Sequence, residues 1–408
     1  MSNLGVQNFE LLLSTFFLYI IQNYPYLVYY LAFLMKILFV LDYFTPHKGW
    51  LETVFENIIQ RLTNKWYEIL VLTSHFDKKL KKIEKSNNIT FYRIWKTRIR
   101  FIFTSIFLGA KILKNNKDIK IIHTSTYWWA IPASILWLLF HKKVILTIHE
   151  IFWKLRNFYK WNFYWFFYRL FENLIFQFPY DIYQCVSTYT LNSLRISYNI
   201  PDKKILMIHN GVDTNFWNPT KVSASEIEVF KKKYSLENNI TLLYYWHAWK
   251  SKGIDYLVKA IPEILQINPK IKLIFNLINS KRKEKIKQEL FKHIKKNSER
   301  IQFFDWFEMN ELRNLIACSD IVVAPSISEW FGSVHTESVA MEKILLTTNI
   351  ASIPEVVRWK VKFINPWSSQ EIIKWVQEIL EWKIENIPTK IFSREDTVNR
   401  IEEIYKTI

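Results

Sequence analysis

Glycine is scarce in this chain of 408 residues, and the shortage limits the turns that the fold can use. The sequence contains 6 glycines, against roughly 29 expected from average usage. Tryptophan, normally among the rarest residues, occurs 18 times. An α/β protein uses glycine at positive-φ turns and where two backbones approach closely. The chain therefore either folds without such turns or carries other residues in them.

Cysteine and negative charge are also in short supply. The two cysteines, Cys185 and Cys318, exclude a disulfide framework and a cysteine-rich zinc site, and they fit a reducing compartment. The 55 Lys and Arg outnumber the 37 Asp and Glu, and the formal net charge of +18 favours anionic partners such as phosphates or an acidic membrane. The basic residues are scattered and form no recognised nucleic-acid motif, so we expect no nucleic-acid partner.

A strongly apolar run occupies residues 11–35, but polar residues and a proline interrupt it, and no basic residue precedes it. Two interpretations stay open. Residues 1–34 are either a membrane anchor or in-plane hairpin, or the natural protein starts at Met35. In both cases we treat 1–34 as a hydrophobic extension outside the folded domains.

From residue 36 onward, short apolar runs alternate with helical patterns. Continuous apolar strands separated by helices predict parallel sheets covered on both faces, which is the α/β class. The predicted strands are 37–41, 68–73, 119–123, 143–148, 181–186, 205–208, 241–246, 271–277, 301–305, 321–324 and 344–348. The predicted helices are 51–63, 98–113, 130–140, 162–177, 189–198, 254–266, 281–296, 309–318, 334–342, 369–382 and 393–407.

The alternation breaks at 213–239, where an Asn-Pro pair, serines and a charge run indicate a linker. We therefore predict two doubly wound, Rossmann-like domains, an N-terminal one at 35–213 and a C-terminal one at 214–390, followed by a helix at 391–408. Ligands of such folds bind at the carboxyl ends of the strands. We expect the two domains to face each other across a cleft that holds the site.

The most informative stretch reads Ala-Pro-Ser-Ile-Ser-Glu-Trp-Phe-Gly-Ser-Val-His-Thr-Glu, and it follows an apolar strand and opens a helix. It contains Glu329 and Glu337, eight positions apart, with Phe331, Gly332 and Ser333 between them. A helix N-terminus binds a diphosphate through its backbone N–H groups and its dipole. Carboxylates accept hydrogen bonds from sugar hydroxyls. The stretch therefore predicts a site that holds a diphosphate between a sugar and a ribose.

This stretch resembles the donor-site motif Glu-Gly-Phe-Gly…Glu of the retaining GT-B glycosyltransferases of the glycosyltransferase 4 family. Four further segments resemble motifs of that family in the same order, each at the end of a predicted strand. They are the Pro…Gly-Gly…Glu loop at 45–52, the Asn-Gly-Val-Asp…Phe segment at 209–216, the Gly-Arg…Lys-Gly loop at 246–255 and Ile-Pro-Glu at 353–355. The resemblance extends over nearly all of residues 35–390.

The resemblance implies a metal-independent, retaining enzyme that moves a sugar from a UDP- or GDP-sugar to a glycan or lipid-linked acceptor, in cell-envelope glycan biosynthesis. It implies no cofactor. It implies catalytic roles for His149, which follows the strand at 143–148, and for Glu329, near the transferred sugar. The donor-binding residues that it implies are Gly49, Trp50, His247, Lys252, Phe331, Gly332, Ser333 and Glu337.

Two features of the chain bear on that mechanism. The sequence contains no Asp-x-Asp, the diphosphate-bound metal site of the other large glycosyltransferase fold, so we expect no metal site. Lys252 and a helix N-terminus would then supply the positive charge that stabilises the diphosphate. His247 stands where the family has arginine, and a neutral imidazole carries less charge toward a diphosphate.

Other interpretations stay open. The chain is alternatively a nucleotide-sugar epimerase of the same fold, or a non-catalytic binding protein if its tryptophans are genuine. Residues 91–120 and 158–171 combine basic and apolar side chains, which predicts either core helices with a solvated basic edge or contact with an anionic leaflet. We expect a cytoplasmic protein, either free or bound to the inner face of the cell membrane.

Tryptophan stands where the family has glycine at Trp50, Trp246 and Trp330. An indole there fills space that a diphosphate occupies, and a turn that needs a positive φ would be strained. The Lys-, Ile-, Asn- and Phe-rich composition is typical of an A/T-rich gene, in which the glycine codon GGA lies one base from UGA. Because some bacterial lineages read UGA as glycine, we predict glycine at these positions in the protein made by its native host. The rival hypothesis is a diverged, catalytically impaired GT-B homologue.

Overall fold

The structure is a computed structural model of the chain. It describes residues 35–47, 49–95, 98–151, 162–277, 281–293, 298–305, 307–358, 360–381 and 390–408. The hydrophobic extension at 1–34 lies outside the described residues, and so does the first part of the aromatic segment at 158–171. Within the described ranges, no helix combines the length and the apolar character that crossing a membrane requires.

The first sheet has eight strands in the order β3-β4-β2-β1-β5-β6-β7-β8. Its strands are β1 (Lys36–Val40), β2 (Glu68–His75), β3 (Ile83–Ser86), β4 (Ile89–Trp95), β5 (Ile119–Ser125), β6 (Lys143–Ile148), β7 (Ile182–Cys185) and β8 (Ile205–Met207). The helices along this part of the chain are α1 (Trp50–Asn64), α2 (Arg98–Asn115), α3 (Ala130–Phe140), α4 (Asn162–Gln177) and α5 (Thr188–Ser197). β1 pairs in parallel with both β2 and β5, whereas β3 runs antiparallel to β4 at the sheet edge.

The second sheet has six strands in the order β11-β10-β9-β12-β13-β14. Its strands are β9 (Ile240–Trp246), β10 (Ile271–Leu277), β11 (Ile301–Phe304), β12 (Ile321–Ala324), β13 (Ile344–Thr348) and β14 (Val361–Ile364). The helices are α6 (Ala224–Lys233), α7 (Ile254–Ile267), α8 (Lys281–His293), α9 (Met309–Cys318), α10 (Ser333–Ala340), α11 (Ile353–Val356), α12 (Ser369–Leu380) and α13 (Arg394–Thr407). All strand pairs described for this sheet are parallel, and its order reverses between β9 and β12.

Apolar side chains on both faces of the strands build the two cores. All seven residues of β10 are buried, as expected for a parallel strand with helices on each side. α7 buries Ile254, Leu257, Ile261 and Ile264 along one stripe at helical spacing. Each fully buried Ile or Leu side chain contributes roughly 1.5–3 kcal/mol relative to an exposed one. The apolar pattern that predicts these elements is therefore also the main source of their stability.

The predicted alternation is confirmed, and the two sheets make an α/β fold of two Rossmann-like halves. The strands β6, β10, β12 and β13 and the helices α3, α4 and α9 have the predicted bounds. The C-terminal helix is also present as α13.

Four parts of the fold were not predicted as elements: the hairpin of β3 and β4, the helix α6, the short helix α11 and the strand β14. The hairpin of β3 and β4 escapes the pattern because Ile83–Ser86 is largely exposed and carries charged side chains. The presumed linker at 213–239 contains α6, whose N-cap Ser223 forms a capping box with Glu226. That Ser-x-x-Glu spacing is a helix start signal, and it would have identified the helix.

The chain divides into two compact units. The described residues up to Thr147 form the first unit with Asn173–Tyr183 and Glu402–Ile408, and Ile148–Glu172 forms the second with Gln184–Ile401. The predicted domain boundary between residues 213 and 214 stays a prediction.

Candidate active site

The loop between β12 and α10, together with that helix, carries four of the eight predicted donor-binding residues. Gly332, the N-cap of α10, has φ 82° and ψ 71°, a left-handed conformation that favours glycine. A Cβ on Gly332 would also lie 2.7 Å from His335 Nδ1. Ser352 holds the loop from the other side, since its hydroxyl donates to the backbone carbonyl of Glu329 at 3.1 Å. Ser333 is the first residue of α10, so the loop leads directly into the helix N-terminus.

Lys252 and Glu329 form an ion pair with 2.6 Å between Nζ and Oε2. Their side chains are only 12% and 10% exposed, so water screens the pair weakly. The backbone explains why the two loops meet. The amides of Ile327 and Ser328 donate to the carbonyl of Ser251, next to the lysine. The structure thus brings together two of the predicted site residues from motifs that are far apart in the sequence.

Gly253 lets the two loops approach each other. Its φ is 67°, and a Cβ on it would lie 1.8 Å from the carbonyl oxygen of Pro325. No side chain fits at that distance, so this glycine is required for both its conformation and its size.

The ion pair lies in the wall of a cavity with about 10 Å³ of free space, which is room for a single water molecule. The lining residues are Tyr244, Tyr245, Trp246, Lys252, Val323, Ala324, Ser326, Glu329, Val334 and His335. The ring of Trp246 lies 5.7 Å from Lys252 Nζ. An indole therefore occupies the space beside the cation that is predicted to bind a diphosphate.

Glu337 lies one helical turn beyond the loop, on α10. Burial raises the pKa of Glu337 to about 7, and the positive charge of Arg394 opposes the shift. The hydroxyl of Tyr245 lies 3.5 Å from its Oε2. A carboxyl group that titrates near neutrality binds ribose hydroxyls most strongly at higher pH, where it is ionised.

His247 is a neutral group in this structure. Burial and the nearby charge of Lys252 lower its pKa to about 4. Its ring stacks on Trp249 with 4.3 Å between ring centroids. The imidazole therefore supplies no positive charge at neutral pH where the family has an arginine.

His149 directly follows β6 and is fully buried. Its neighbour Glu150 was not singled out by the sequence analysis. Burial raises the pKa of Glu150 to about 7, with Lys252 opposing the shift and Glu329 adding to it. The local sequence gives no sign that Glu150 has an unusual pKa, because the shift depends on burial and on neighbours that are distant in the sequence.

His335 was also not predicted as a site residue. It is 1% exposed, and burial lowers its pKa to about 4.

Gly49 and Trp50 lie in the first unit, at the start of α1. Gly49 is the N-cap, and its φ of −153° is extended backbone that any residue adopts. A Cβ would lie 2.1 Å from Glu52 Oε2, the end of a flexible side chain that is free to shift, so neither φ nor this contact requires glycine here. That carboxylate also accepts a hydrogen bond from His47 Nδ1 at 3.0 Å. Glu52 therefore bonds back to the loop that precedes its own helix.

Phe331, a predicted donor-binding residue, is part of a hydrophobic core. It is 5% exposed, and its ring lies 6.3 Å from that of His209. His209 Nε2 in turn lies 2.6 Å from Glu355 Oε1, which joins the Asn-Gly-Val-Asp and Ile-Pro-Glu segments. The backbone N–H of Thr188, in the first turn of α5, donates to the same carboxylate at 2.7 Å. Although burial opposes ionisation, these hydrogen bonds lower the pKa of Glu355 to about 2.

None of Trp50, Trp246 and Trp330 has a positive φ, so the expected backbone strain at these three positions is wrong. Trp330 packs at 5.2 Å from the ring of Tyr189. Of the three, Trp246 lines the cavity beside Lys252, so the conflict at that position is one of volume and not of backbone conformation. In the part of the chain that the structure describes, no three His, Cys, Asp or Glu side chains are grouped as a metal site requires.

Two family models match the chain in sequence. The model described as Glycosyltransferase Family 4 matches residues 51–216, and the one described as Glycosyl transferases group 1 matches residues 226–390. Together they cover most of the chain and every strand of the two sheets except β1. They favour a transferase over the epimerase considered from the sequence.

Individual proteins give the same result. The phosphatidylinositol N-acetylglucosaminyltransferase gpi3 subunit of Schizosaccharomyces pombe is 22% identical over 388 residues, which are 90% of this chain and 80% of that protein. Sucrose-phosphate synthase from Thermosynechococcus elongatus superposes with a TM-score of 0.74 at 14% identity, covering 91% of this chain and 98% of that one. Anabaena HepE in complex with UDP and glucose superposes with a TM-score of 0.73 at 18% identity, covering 92% and 100%.

The matched segments, the two Rossmann-like sheets and the paired motif residues lead to one conclusion. The chain is a glycosyltransferase with the GT-B fold and belongs to the glycosyltransferase 4 family.

Proposed function

We propose that this glycosyltransferase transfers a sugar from a nucleoside-diphosphate sugar to a lipid-linked acceptor, with retention of configuration. The ion pair of Lys252 with Glu329 carries the proposal, because it places a cation and a carboxylate together beside the N-terminus of α10. The complex of Anabaena HepE with UDP and glucose supports a UDP-sugar donor. The phosphatidylinositol-directed relative in Schizosaccharomyces pombe supports a lipid acceptor.

Each donor-site residue has a distinct part in this proposal. Lys252 exchanges Glu329 for the diphosphate, and the backbone N–H groups at the start of α10 bind the same anion. Glu329 then accepts hydrogen bonds from the sugar, and Glu337 accepts them from the ribose. His149 faces the sugar near its reacting carbon.

The reaction needs no protein nucleophile. The bond from the sugar C1 to the diphosphate oxygen breaks while the acceptor oxygen forms its bond to C1 on the same face. The acceptor's hydroxyl proton passes to the leaving diphosphate oxygen. Because Lys252 and the start of α10 stabilise the developing negative charge, we propose that transfer proceeds without a divalent metal.

The proposal requires room for the donor, and Trp246 restricts it. With Trp246 in place, the cavity beside Lys252 holds about one water molecule. We therefore propose that the native protein carries glycine at Trp50, Trp246 and Trp330, through reading of UGA as glycine. If these tryptophans are native, the chain is instead an impaired homologue with an obstructed site.

A surface on α2 supports binding to a membrane. Arg100, Phe103, Phe107, Lys111 and Lys114 are exposed and follow one another at helical spacing. Phe103 and Phe107 are 60% and 76% exposed. An apolar stripe between basic side chains is typical of helices that lie on anionic bilayers. We propose that this surface, the α2 stripe, docks the enzyme on the leaflet that holds its acceptor.

Donor binding is tested by calorimetry with UDP- and GDP-sugars on the protein and two variants. Lys252→Ala and Glu337→Ala should each weaken donor binding about 10- to 100-fold, because each leaves a ligand group unpaired in a partly closed site. Lys250→Ala is the matched control, since this exposed lysine lies on the same turn. Wild-type affinity in both site variants would exclude the assignment.

The stereochemistry and metal independence are tested on the reaction product. NMR of the product should show the anomeric configuration of the donor, and EDTA should leave the rate unchanged. An inverted product, or strict dependence on a divalent metal, would contradict the mechanism.

A further inference from the structure

An open cavity of about 270 Å³ lies in the first unit, and none of the predicted donor-site residues lines it. It lies between the carboxyl-terminal parts of β2 and β4, the start of β3 and helix α2. Its lining residues are His75, Lys82, Ile83, Arg93, Ile94, Thr104 and Leu108. Two of these side chains are cationic and none is acidic.

Arg93 is the buried cation of this cavity, with 5% of the residue exposed. Its Nη1 donates to Glu84 Oε2 at 2.6 Å and to the carbonyl of Lys81 at 3.1 Å, and its guanidinium lies 4.8 Å from the ring of Phe91. Its Nε has no hydrogen-bond partner among the described residues. A buried guanidinium donor without a partner is unfavourable, so the site favours an added anion.

Lys82 adds a second positive charge at the mouth of the cavity. It is exposed and forms no ion pair in the part of the chain that the structure describes. His75 is already engaged, since its Nε2 donates to the carbonyl of Leu80 at 2.7 Å. The carboxylate of Glu84 pairs with Arg93. The positive charge of Lys82 is therefore not neutralised by that carboxylate.

The cavity adjoins the α2 stripe. Thr104 and Leu108 line the cavity, and each directly follows one of the exposed phenylalanines, Phe103 and Phe107. Consecutive helix residues lie about 100° apart around the axis, so the apolar stripe borders the cationic cavity. One phospholipid fits both features. Its phosphate matches the cationic cavity, and the boundary of its acyl chains matches the α2 stripe.

We infer that this cavity binds the phosphate of an anionic lipid headgroup while Phe103 and Phe107 enter the acyl boundary. Arg93 holds the phosphate through its fork of donors and Lys82 contributes a point charge. This inference rests on the proposed function only in making that lipid the acceptor. A free phosphate shares the same chemistry, and the experiment separates the two sources.

The test is sedimentation with vesicles of phosphatidylcholine alone and of phosphatidylcholine mixed with phosphatidylinositol. Lys82→Gln should lower binding to the mixed vesicles about fivefold, since one basic residue near such a surface contributes about 1 kcal/mol. Arg93→Gln should lower it further. Lys85→Gln removes the same charge from an exposed position on the adjoining strand β3 without touching the cavity, and should lower binding less.

Free glycerol 3-phosphate and inorganic phosphate are added as competitors. Displacement of the protein from mixed vesicles by glycerol 3-phosphate, and not by an equal ionic strength of chloride, supports the cavity. Binding of free phosphate without any vesicle binding would overturn the lipid assignment. Equal losses of vesicle binding in Lys82→Gln and Lys85→Gln would overturn the cavity's role. A thermal melt shows whether the Arg93→Gln protein is folded.

Calorimetry with UDP on the same proteins keeps the two proposals separate. Lys82→Gln should bind UDP as the unchanged protein does. Vesicle binding without UDP binding would contradict the donor site alone, and UDP binding without headgroup dependence would contradict this inference alone.

Discussion

Several turns in this molecule contain a residue with a left-handed backbone. In two of them that residue is glycine, and in two others it is tryptophan. Gly253 and Gly332, at the donor-site loops, have φ of 67° and 82°. Trp66 and Trp367, at exposed turns elsewhere, have φ of 72° and 66°. The φ angles are similar, while the side chain is the smallest in one pair and the largest in the other.

Trp66 lies two residues after the last residue of α1, at a position where helices commonly have glycine. The backbone N–H of Tyr67 donates to the carbonyl of Leu62 at 3.1 Å, which is the long-range bond of a Schellman motif. The residue between the helix end and that donor is left-handed, and it is usually glycine. Trp66 stands there with 54% of its surface exposed.

Trp367 occupies the second central position of a turn after Pro366. Proline followed by a residue with positive φ is the pattern of a type II turn, in which that second residue is normally glycine. Trp367 is also 54% exposed. Neither turn belongs to a family motif, so these positions support glycine independently of the donor-site comparison.

The difference shows what each turn tolerates. At Gly253 there is no room for a Cβ, so a substitution there breaks the contact between two loops. At Trp66 and Trp367 the side chain extends into solvent and only the backbone is strained. If a gene were decoded with tryptophan in place of glycine, we would therefore expect a chain that still folds, with the cost concentrated in strained turns and in the small cavity beside Lys252.

The largest expected effect is on stability at Gly253. Gly253→Ala should lower the free energy of unfolding by about 3 kcal/mol or more, because its Cβ would meet the Pro325 carbonyl and its φ is left-handed. Gly109→Ala is the control, since a Cβ there meets only the side chain of Leu136 and lies within a helix. Urea unfolding measures both. Equal losses in the two variants would contradict the distinction.

The next effect is on donor affinity. Replacing Trp50, Trp246 and Trp330 with glycine together should strengthen binding of the correct nucleotide-sugar at least about tenfold, because the indoles leave volume to the ligand. Trp367→Gly is the control, as this indole is exposed and does not line the cavity. If the triple variant bound no better, the idea of an obstructed site would fail.

The decoding hypothesis has its own direct test in the native host. Peptides spanning Trp50, Trp246 and Trp330 should be lighter by the mass difference between tryptophan and glycine. UGG codons at these positions would refute the hypothesis and favour an impaired homologue.

The smallest effect is expected at the exposed turns. Trp66→Gly and Trp367→Gly should each raise the free energy of unfolding by roughly 0.5–1 kcal/mol, since relief of left-handed strain exceeds the entropy that glycine adds to the unfolded chain. Trp249→Gly should lower it, because Trp249 has φ −81° and no strain to relieve. Thermal melts compare the three, and destabilisation in all of them would remove the structural support for glycine.

The sequence predicts elements well where burial dictates composition. β10 and β12 read as continuous apolar runs, and their bounds follow from that alone. The exposed strand Ile83–Ser86 has no such pattern and was missed. α6 was missed because its charge run resembles a linker, although its capping box gives the helix start.

The sequence predicts a set of donor-site residues but not their arrangement. The motifs gave Lys252 and Glu329 separately, and their direct pairing depends on backbone hydrogen bonds between two loops. The raised pKa of Glu150 depends on neighbours that no local pattern reveals. The positive φ of Trp66 and Trp367 is likewise visible only in three dimensions.

The pairing of Lys252 with Glu329 has a consequence for turnover. A ligand that takes the lysine leaves a nearly buried carboxylate without its cation, which is unfavourable unless the ligand also supplies hydroxyls to it. A nucleotide-sugar supplies both groups, whereas the nucleoside diphosphate left after transfer supplies only the anion. Glu329 then competes with the spent nucleotide for Lys252, and we expect the ion pair to speed product release and to limit inhibition by the product.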